Sequence, residues 1–294
     1  MYHLIIQRHT SPLSQDDLDQ LCHIAAPISL EKFADDSGPN RGHNAARLRD
    51  IRTPGPGMRR ALDAYCHQHH IDWAVIPAGL RLDDFKLLAM DMDSTLISIE
   101  TVDEIGGLIG KKEEIAAITA AAMRGEIADY AESLRRRVAL LAGVTRGQLD
   151  SLYTEILRLN PGAETLLAAA RTAGLNTLLV TGGFTEFTDR LQKLLNIDRV
   201  KANVLGMEDD VLDGTLVGAI VDGQAKKQAM LDYCAELSCD PGQVLVIGDG
   251  ANDLPMMHAA GFSVAYHAKP KVREAATAAI DFSGLDSLLH WFDD

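Results

Sequence analysis

Apolar and polar positions alternate along the second half of the chain with two different periods. Short apolar runs such as "NTLLVT" (176–181) and "QVLVIGD" (243–249) have the length and the β-branched content of buried strands. Segments such as "GAETLLAAARTAG" (162–174) and "EFTDRLQKLLNI" (186–197) carry apolar residues three and four positions apart, which predicts amphipathic helices. Strands that alternate with helices are typical of a parallel sheet covered by helices.

The start of the chain has a different pattern. Residues 1–80 contain two short strand-like runs, "HLIIQ" (3–7) and "WAVIP" (73–77), one helical pattern at 57–70, and turns rich in Gly, Pro, Asn and Asp. We predict a small α/β domain over residues 1–80, with a boundary near residues 78–84, and a second domain over residues 81–294.

A third segment, from residue 99 to about 157, is helical in pattern and contains no convincing strand. It follows the strand-like run "KLLAMD" (86–91) and precedes the alternating strands and helices, so it interrupts the α/β domain. We therefore expect a helical insertion that lies above the sheet as a cap.

Composition and charge narrow the class of protein. Of the 294 residues, 47% are apolar and 24% are charged, which is ordinary for a folded globular chain. The formal net charge of −14 disfavours binding to nucleic acid or to an anionic membrane. No run reaches the roughly 18 apolar residues of a membrane span and no signal-peptide pattern is present, so we expect a cytoplasmic protein.

Polar residues follow the strand-like runs at the points where the runs end. Asp91 and Asp93 come after "KLLAM", Thr181 follows "TLLV", and Asp249 follows "VLVIG". Ligands of open parallel sheets bind beyond the carboxyl ends of the strands, so these side chains should converge.

The acidic members of this set predict a metal site. Asp91 and Asp93 would meet Asp249, Asn252 and Asp253, and crowded carboxylates repel one another unless a cation lies among them. A small number of oxygen ligands suits Mg²⁺, which keeps several of its waters. Taken singly, any of these acids is also consistent with a helix cap or a turn.

Other residues near the strand ends suit a phosphate group. Lys226 offers a positive charge, Thr181 offers a hydroxyl donor, and Gly182 with Gly183 allows close approach of the backbone. Taken singly, Lys226 is also consistent with a solvated lysine at a helix start, and Thr181 with a helix cap.

Together these motifs resemble a known family. "DMDST" (91–95), "TGG" (181–183), Lys226 and "GDGAND" (248–253) stand in the order of the four signatures of the haloacid dehalogenase superfamily, and residues 85–290 resemble its phosphoserine phosphatase branch. The resemblance implies a Rossmann-like three-layer α/β core with a parallel sheet and a helical cap.

The resemblance also implies roles for the acidic residues. Asp91 matches the nucleophile and Asp93 the general acid and base; a carboxylate that attacks phosphorus forms an aspartyl-phosphate and divides one hard step into two easier ones. The side chains of Asp91 and Asp249 and the carbonyl of Asp93 match the Mg²⁺ ligands, with Asn252 and Asp253 in support. Lys226, Thr181, Gly182 and Asn252 are the expected phosphate and substrate contacts.

In the cap, the resemblance assigns the contacts that select the substrate. Glu100 matches a glutamate that recognises an ammonium group, and Arg137 matches an arginine that recognises a carboxylate, as the zwitterion phosphoserine requires. The alternative is that Glu100 caps a helix and Arg137 lies on a solvated face. Between Met123 and Arg137 the chain is one residue longer than the family pattern. This leaves open whether Arg136 or Arg137 faces the substrate, and whether Met123 and Tyr130 line the cap.

We therefore expect a Mg²⁺-dependent phosphatase that converts phosphoserine to L-serine in serine biosynthesis. One alternative is a related phosphatase or phosphotransferase for another small phosphomonoester, such as phosphohomoserine. A second is an amino-acid-binding regulatory protein with a degenerate core. Residues 1–80 faintly resemble ACT-like regulatory domains; a dimerisation element, which would make the protein a homodimer, and a packing accessory are the other options.

Overall fold

The computed structural model describes residues 1–9, 11–35, 42–124 and 126–293, without the side chains of residues 34, 35, 42, 43 and 123. The expectation that the side chain of Met123 lines the cap thus lies outside the described residues. The strands are β1 Tyr2–Gln7, β2 Ser29–Asp35, β3 Gly42–Ile51, β4 Asp72–Pro77, β5 Leu87–Met90, β6 Asn176–Phe184, β7 Arg199–Glu208, β8 Val211–Val217, β9 Val244–Gly248, β10 Phe262–Tyr266 and β11 Ala278–Ile280. The helices are α1 Gln15–Ala25, α2 Pro56–Gln68, α3 Thr101–Gly107, α4 Lys112–Met123, α5 Tyr130–Ala139, α6 Arg146–Ser151, α7 Ala163–Thr172, α8 Thr185–Leu195, α9 Gly223–Glu236, α10 Leu254–Met257 and α11 Pro270–Ala275.

The larger sheet has the strand order β11-β10-β9-β5-β6-β7-β8. Its inner strands pair in parallel, and every residue of β5 and β9 is buried. Continuous apolar runs form such strands because helices cover both faces of a parallel sheet. The α/β fold predicted from the alternating pattern is confirmed.

Helices cover this sheet on both faces and make three layers. Successive residues of β5 point to opposite faces, as the pleat of a strand requires. Leu88 and Met90 pack on the side of α7 and α8, whereas Leu87 and Ala89 pack on the side of α9 and α10. The predicted three-layer core therefore follows from one strand whose two faces are both apolar.

One edge of the sheet was not predicted. Strands β7 and β8 form an antiparallel hairpin whose turn passes through Asp209 and Asp210, both with positive φ (48° and 61°). Exposed polar residues interrupt the apolar ones in β7, so the sequence shows no apolar run there. The sheet is therefore parallel in its interior and mixed at this edge.

The insertion between β5 and β6 is helical, as predicted, and consists of α3 to α6. Backbone hydrogen bonds join the segment between α5 and α6 to strand β8 of the unpredicted hairpin. The N–H of Gly143 donates to the carbonyl of Leu212 (2.9 Å), and the N–H of Leu212 donates to the carbonyl of Val144 (2.8 Å). The cap is thus attached to the edge strand β8 as well as to the two chain connections.

Residues before β5 form a separate antiparallel sheet with the order β2-β3-β1-β4. Helices α1 and α2 pack on it around Leu4, Ile6, Leu48 and Leu62. Strand β4 ends at Pro77 and β5 begins at Leu87. The predicted division into domains at residues 78–84 stays a prediction.

A buried carboxylate joins this small sheet to the larger one. Asp72, at the start of β4 and 2% exposed, accepts hydrogen bonds from the backbone N–H groups of Asp281, Phe282 and Ser283 at 2.6, 3.1 and 2.8 Å. Those three residues directly follow β11. The two sheets are therefore held together by backbone groups that would otherwise be buried without partners.

The described helices are short. The longest, α9, has 14 residues and carries several charges. Within the described residues, no helix has the length and apolar character needed to cross a membrane.

We predict that Asp72→Ala lowers the free energy of unfolding by about 3 kcal/mol, because three backbone N–H groups, one of them buried and two half-buried, lose their acceptor. Urea denaturation followed by circular dichroism measures this change. Asp83→Ala is the control, since Asp83 is an exposed carboxylate paired with Arg81 and its loss should have little effect. Equal stability of the two variants would contradict the assigned role of Asp72.

Candidate active site

Three acidic residues come together at the carboxyl ends of β5 and β9. Carboxylate oxygens of Asp91, Asp249 and Asp253 lie within 4.8 Å of one another. Asp91 follows β5 directly and Asp249 follows β9, and the two strands are neighbours in the sheet. The convergence expected from the strand ends is present, with Asp253 in the carboxylate cluster.

The chain after β5 turns sharply and presents two acids to the same region. Asp91 accepts a hydrogen bond from the N–H of Met92 at 2.7 Å, which starts a wide helical turn over Met92–Leu96. Ser94 has a φ of 56°, in the left-handed region, and this bends the turn back toward the sheet. The hydroxyl of Thr95 then donates to Asp249 at 2.9 Å.

Asn160 supports this turn from below and was not predicted from sequence. Its side-chain amide lies 2.8 Å from the carbonyl of Thr95, 3.1 Å from that of Ile97 and 3.3 Å from that of Ser94. One amide group therefore engages the carbonyl groups of Ser94 and Thr95 in the first motif and that of Ile97 just after it. Asn160 precedes Pro161 in a loop with no strand or helix pattern, so no sequence signal marked it.

Asp93 lies on the side of the turn that faces Thr101 and Gly183. Its carboxylate accepts a hydrogen bond from the hydroxyl of Thr101 at 3.0 Å and a longer one from the N–H of Thr101 at 3.4 Å. A Cβ atom on Gly183 would lie 3.0 Å from the Asp93 carboxylate. Glycine at this position of the "TGG" motif thus allows the second motif to pack closely against the first.

Lys226 is the cation of the site and is fully buried. Its ammonium lies 2.7 Å from the carboxylate of Asp91 and 2.8 Å from that of Asp253. Asp222 caps α9 by accepting from the N–H of Ala225 at 2.8 Å, which sets where the helix begins and so where Lys226 points. Lys226 is therefore part of the charged cluster and not a solvated lysine.

Burial and the repulsion between neighbouring carboxylates raise the pKa values of Asp249 and Asp253. Desolvation, together with the charges of Asp91 and Asp253, raises the pKa of Asp249 to about 8. Desolvation and Asp91 raise the pKa of Asp253 to about 7, although Lys226 opposes the shift. Burial alone would lower the pKa of Lys226, but Asp253 and Asp91 outweigh it and raise that pKa.

This donor set fits a hard divalent cation. Three carboxylates lie close together with Lys226 as a buried cation among them, so full ionisation leaves an excess of negative charge. The raised pKa values of Asp249 and Asp253 show that their ionised forms are unfavourable without further positive charge. Carboxylate oxygens are the ligands that Mg²⁺ accepts.

The pKa of Asp93 is also raised. Desolvation is the main cause, and the negative charges of Glu100 and Asp91 add to it, while the hydrogen bonds from Thr101 act in the opposite direction. A carboxyl group with a raised pKa holds its proton at a pH where an ordinary aspartate has lost it. Asp93 is thus able to give a proton to a leaving group.

Thr181 and Gly182 line the site from the end of β6. Thr181 is 1% exposed, and its hydroxyl oxygen accepts from the N–H of Gly183 at 2.9 Å. The carbonyl of Gly182 accepts from the side-chain amide of Asn203 at 2.8 Å. Asn203 was not predicted because it lies on β7, the strand that the hydropathy pattern did not indicate.

The cap contributes residues that face the same region. Glu100 is the N-cap residue of α3 but makes no side-chain cap there; its carboxylate accepts from the hydroxyl of Ser94 at 2.6 Å. Burial raises the pKa of Glu100, and the positive charge of the half-buried Arg137 opposes this shift. Any side chain at Gly182 would overlap the phenolic oxygen of Tyr130, so Tyr130 of the cap reaches the backbone of the "TGG" motif.

Arg136 and Asn252 complete the set of expected residues. Arg136 is exposed and pairs with Glu132 at 2.7 Å on the outer side of α5. Asn252 is half-buried in the loop after β9, and its side chain lies where a Cβ on Gly250 would be. The structure therefore brings Asn252 to the loop that holds Asp249 and Asp253.

The chain is similar to known phosphatases over most of its length. A family model described as haloacid dehalogenase-like hydrolase matches residues 85–261. A phosphoserine phosphatase from Polaromonas sp. is 58% identical over 219 residues, which are 73% of this chain and 93% of the relative.

Solved structures support the same relationship. A HAD family hydrolase from Salmonella enterica subsp. enterica serovar Typhi has a TM-score of 0.87 at 30% identity, over 100% of this chain and 99% of that one. A probable phosphoserine phosphatase from Vibrio cholerae, in unliganded form, has a TM-score of 0.79 at 29% identity, over 99% and 86% of the two chains. The chain therefore belongs to the haloacid dehalogenase-like hydrolases, within their phosphoserine phosphatase family.

Proposed function

We propose that this chain hydrolyses O-phospho-L-serine to L-serine and phosphate through an aspartyl-phosphate, as a step of serine biosynthesis. The observation that carries the proposal is the ion pair between the buried carboxylate of Asp91 and the buried ammonium of Lys226. Two residues after Asp91 stands Asp93, an acid with a raised pKa. The 58% identity to a phosphoserine phosphatase supports the choice of substrate. Action in the cytoplasm and assembly as a homodimer stay predictions.

In the first step, a carboxylate oxygen of Asp91 attacks the phosphorus atom in line with the bond to the serine oxygen. The hydrogen bond from Met92 and the ion pair with Lys226 hold the carboxylate in one orientation. The P–O bond to serine breaks as the new P–O bond to Asp91 forms. Lys226 is placed to balance negative charge on the phosphoryl oxygens.

Asp93 supplies the proton that the departing serine oxygen needs. It then accepts a proton from the water that attacks the aspartyl-phosphate, which releases phosphate and restores Asp91. Asp93 serves both steps because its carboxylate stands two residues after the nucleophile, with Thr101 orienting it.

Mg²⁺ is the proposed metal cofactor, and it would supply positive charge that neutralises the phosphate oxygens. The side chains of Asp91 and Asp249 would hold it, together with the carbonyl of Asp93. Asp253 belongs to the same cluster, but one of its oxygens is engaged by Lys226 and the other by the N–H of Gly250 (3.0 Å). Its proposed role is to orient Lys226 and the loop.

The cap would select the amino acid part of the substrate. We propose that Glu100 receives the ammonium group and Arg137 the carboxylate. Two observations favour Arg137 over Arg136: Arg137 is half-buried and acts electrostatically on Glu100, whereas Arg136 is exposed and already paired with Glu132. Thr181, Gly182 and Asn252 are the proposed contacts for the phosphate end.

We predict that Asp91→Asn lowers phosphate release from phosphoserine by about 1,000-fold or more, because an amide is a poor nucleophile toward phosphorus. A colourimetric phosphate assay at saturating substrate measures this. The exposed Asp83→Asn variant should keep full activity. Substantial turnover by the Asp91 variant would disprove the proposed intermediate.

Arg137→Ala should lower kcat/KM for phosphoserine by roughly 10- to 100-fold, since the substrate carboxylate loses a charged partner. Turnover of p-nitrophenyl phosphate, which has no α-carboxylate, should change by less than about threefold. Arg136→Ala is the matched control on the same helix and should leave both substrates nearly unaffected. Equal losses on both substrates would remove the support for phosphoserine selection by Arg137.

Without metal, the raised pKa values of Asp249 and Asp253 should make the protein less stable as pH rises through 7 and 8. The folded state binds protons at these groups that the unfolded state has already lost, so stability is highest below their unfolded pKa values. Thermal melting should show that Mg²⁺ raises Tm clearly at pH 8.5 and little at pH 5.5. Asp249→Asn should reduce the Mg²⁺ effect, and an unchanged effect would contradict its place among the ligands.

A further inference from the structure

Asn203 makes two hydrogen bonds that use both ends of its side-chain amide. It lies on β7 beside Phe184 of β6 and is 2% exposed. Its Nδ2 donates to the carbonyl of Gly182 at 2.8 Å, and its Oδ1 accepts from the N–H of Val221 at 2.8 Å. The amide cannot turn over without placing acceptor against acceptor and donor against donor.

On one side, Asn203 acts on the hydroxyl of Thr181 through a single peptide group. The Gly182 carbonyl that it holds belongs to the same planar peptide as the N–H of Gly183, and this N–H donates to the Thr181 hydroxyl oxygen at 2.9 Å. Because that oxygen accepts a bond from the backbone, its own hydrogen stays available to donate to another group. Holding the peptide plane therefore fixes the backbone group that orients the Thr181 hydroxyl.

On the other side, Asn203 holds the segment that leads into α9. Val221 directly precedes Asp222, the residue that caps this helix. Lys226 lies in the first turns of the helix, and its backbone N–H donates to the carbonyl of Asp222 at 2.8 Å. The position of the Lys226 ammonium thus depends on where the Val221–Asp222 segment lies.

We propose that Asn203 is a positioning residue that sets the Thr181 hydroxyl and the Lys226 ammonium relative to each other, so that both meet one phosphoryl group. This inference rests on the proposed function. Asn203 links the second and third motifs, which are otherwise carried by separate segments of the chain. A misplacement of either donor by a fraction of an ångström would weaken transition-state contacts more than it weakens the fold.

The chain offers a matched control for this role. Thr177, 1% exposed, lies on the same strand β6 and also makes two bonds across to the segment that leads into β7. Its hydroxyl donates to the carboxylate of Asp198 at 2.8 Å and accepts from the N–H of Asp198 at 3.0 Å. This link joins β6 to the segment before β7 at the amino end of β6, four residues before Thr181, and so away from the site.

The test compares Asn203→Ala and Asn203→Asp with Thr177→Val. The Asp variant keeps an acceptor for Val221 but faces the Gly182 carbonyl with a second acceptor, whereas the Ala variant removes both bonds without adding charge. We expect kcat at saturating substrate to fall about 10- to 100-fold in both Asn203 variants and less than about twofold in Thr177→Val. The urea midpoints of all three variants should fall, so a loss of stability alone does not explain a difference in kcat between the Asn203 variants and Thr177→Val.

Two substrates and one ligand keep this result separate from the proposed function. Turnover is measured on phosphoserine and on p-nitrophenyl phosphate, and binding of inorganic phosphate with Mg²⁺ present is measured by calorimetry. A wild-type enzyme active only on the aryl phosphate would overturn phosphoserine as substrate and leave the Asn203 comparison valid. If both Asn203 variants match Thr177→Val in kcat and in phosphate affinity, Asn203 is only a structural link and the inference is wrong.

Discussion

The structure depends on the buried ion pairs of Lys226 with Asp91 and Asp253. An isolated charge at these positions, each at most 4% exposed, would cost several kcal/mol of desolvation free energy, and the opposite charges offset that cost only when the geometry is tight. One ammonium among three carboxylates still leaves negative charge in excess, so the site is poised for a cation and then for the anionic phosphate. The same excess of negative charge gives the cluster its attraction for a cation.

The parallel sheet is what allows such a cluster to form from distant parts of the chain. Asp91 and Asp249 lie 158 positions apart in the numbering of the chain, yet they follow neighbouring strands that run in the same direction and so end at the same edge. Gly183 then lets β6 approach closely enough to place the second motif against Asp93. Each motif can be short because the parallel strands bring the motifs together at one edge of the sheet.

The residues that were predicted from sequence are those whose type alone suggests chemistry or burial. Asp91 and Asp249 stood out as charged residues beside apolar runs, β5, β6 and β9 as the runs themselves, and Lys226 as the cation in the ordered set of motifs. Asn160, Asn203 and Asp72 did not, because each acts on backbone groups that come near only after folding, and an amide or carboxylate in a loop or a polar strand has no distinguishing pattern. Strand β7 was missed for a related reason: its polar, exposed positions carry no apolar period. The sequence therefore predicted the proposed reacting groups and the core, but not the side chains that hold backbone segments in place by hydrogen bonds.

The core and the cap contribute different groups of residues to the site. Asp91, Thr181 and Lys226, the proposed reacting and phosphate-binding groups, come from the edge of the sheet and from α9, and Asn203 hydrogen-bonds to both of these regions. Glu100, Tyr130 and Arg137 come from the insertion, which meets the edge strand β8 through backbone hydrogen bonds at Gly143 and Val144. The insertion contributes no member of the buried ion pairs of Lys226, so its side chains can differ without altering those pairs. Within the insertion, α5 brings the half-buried Arg137 near the charge of Glu100 and leaves Arg136 exposed beside Glu132.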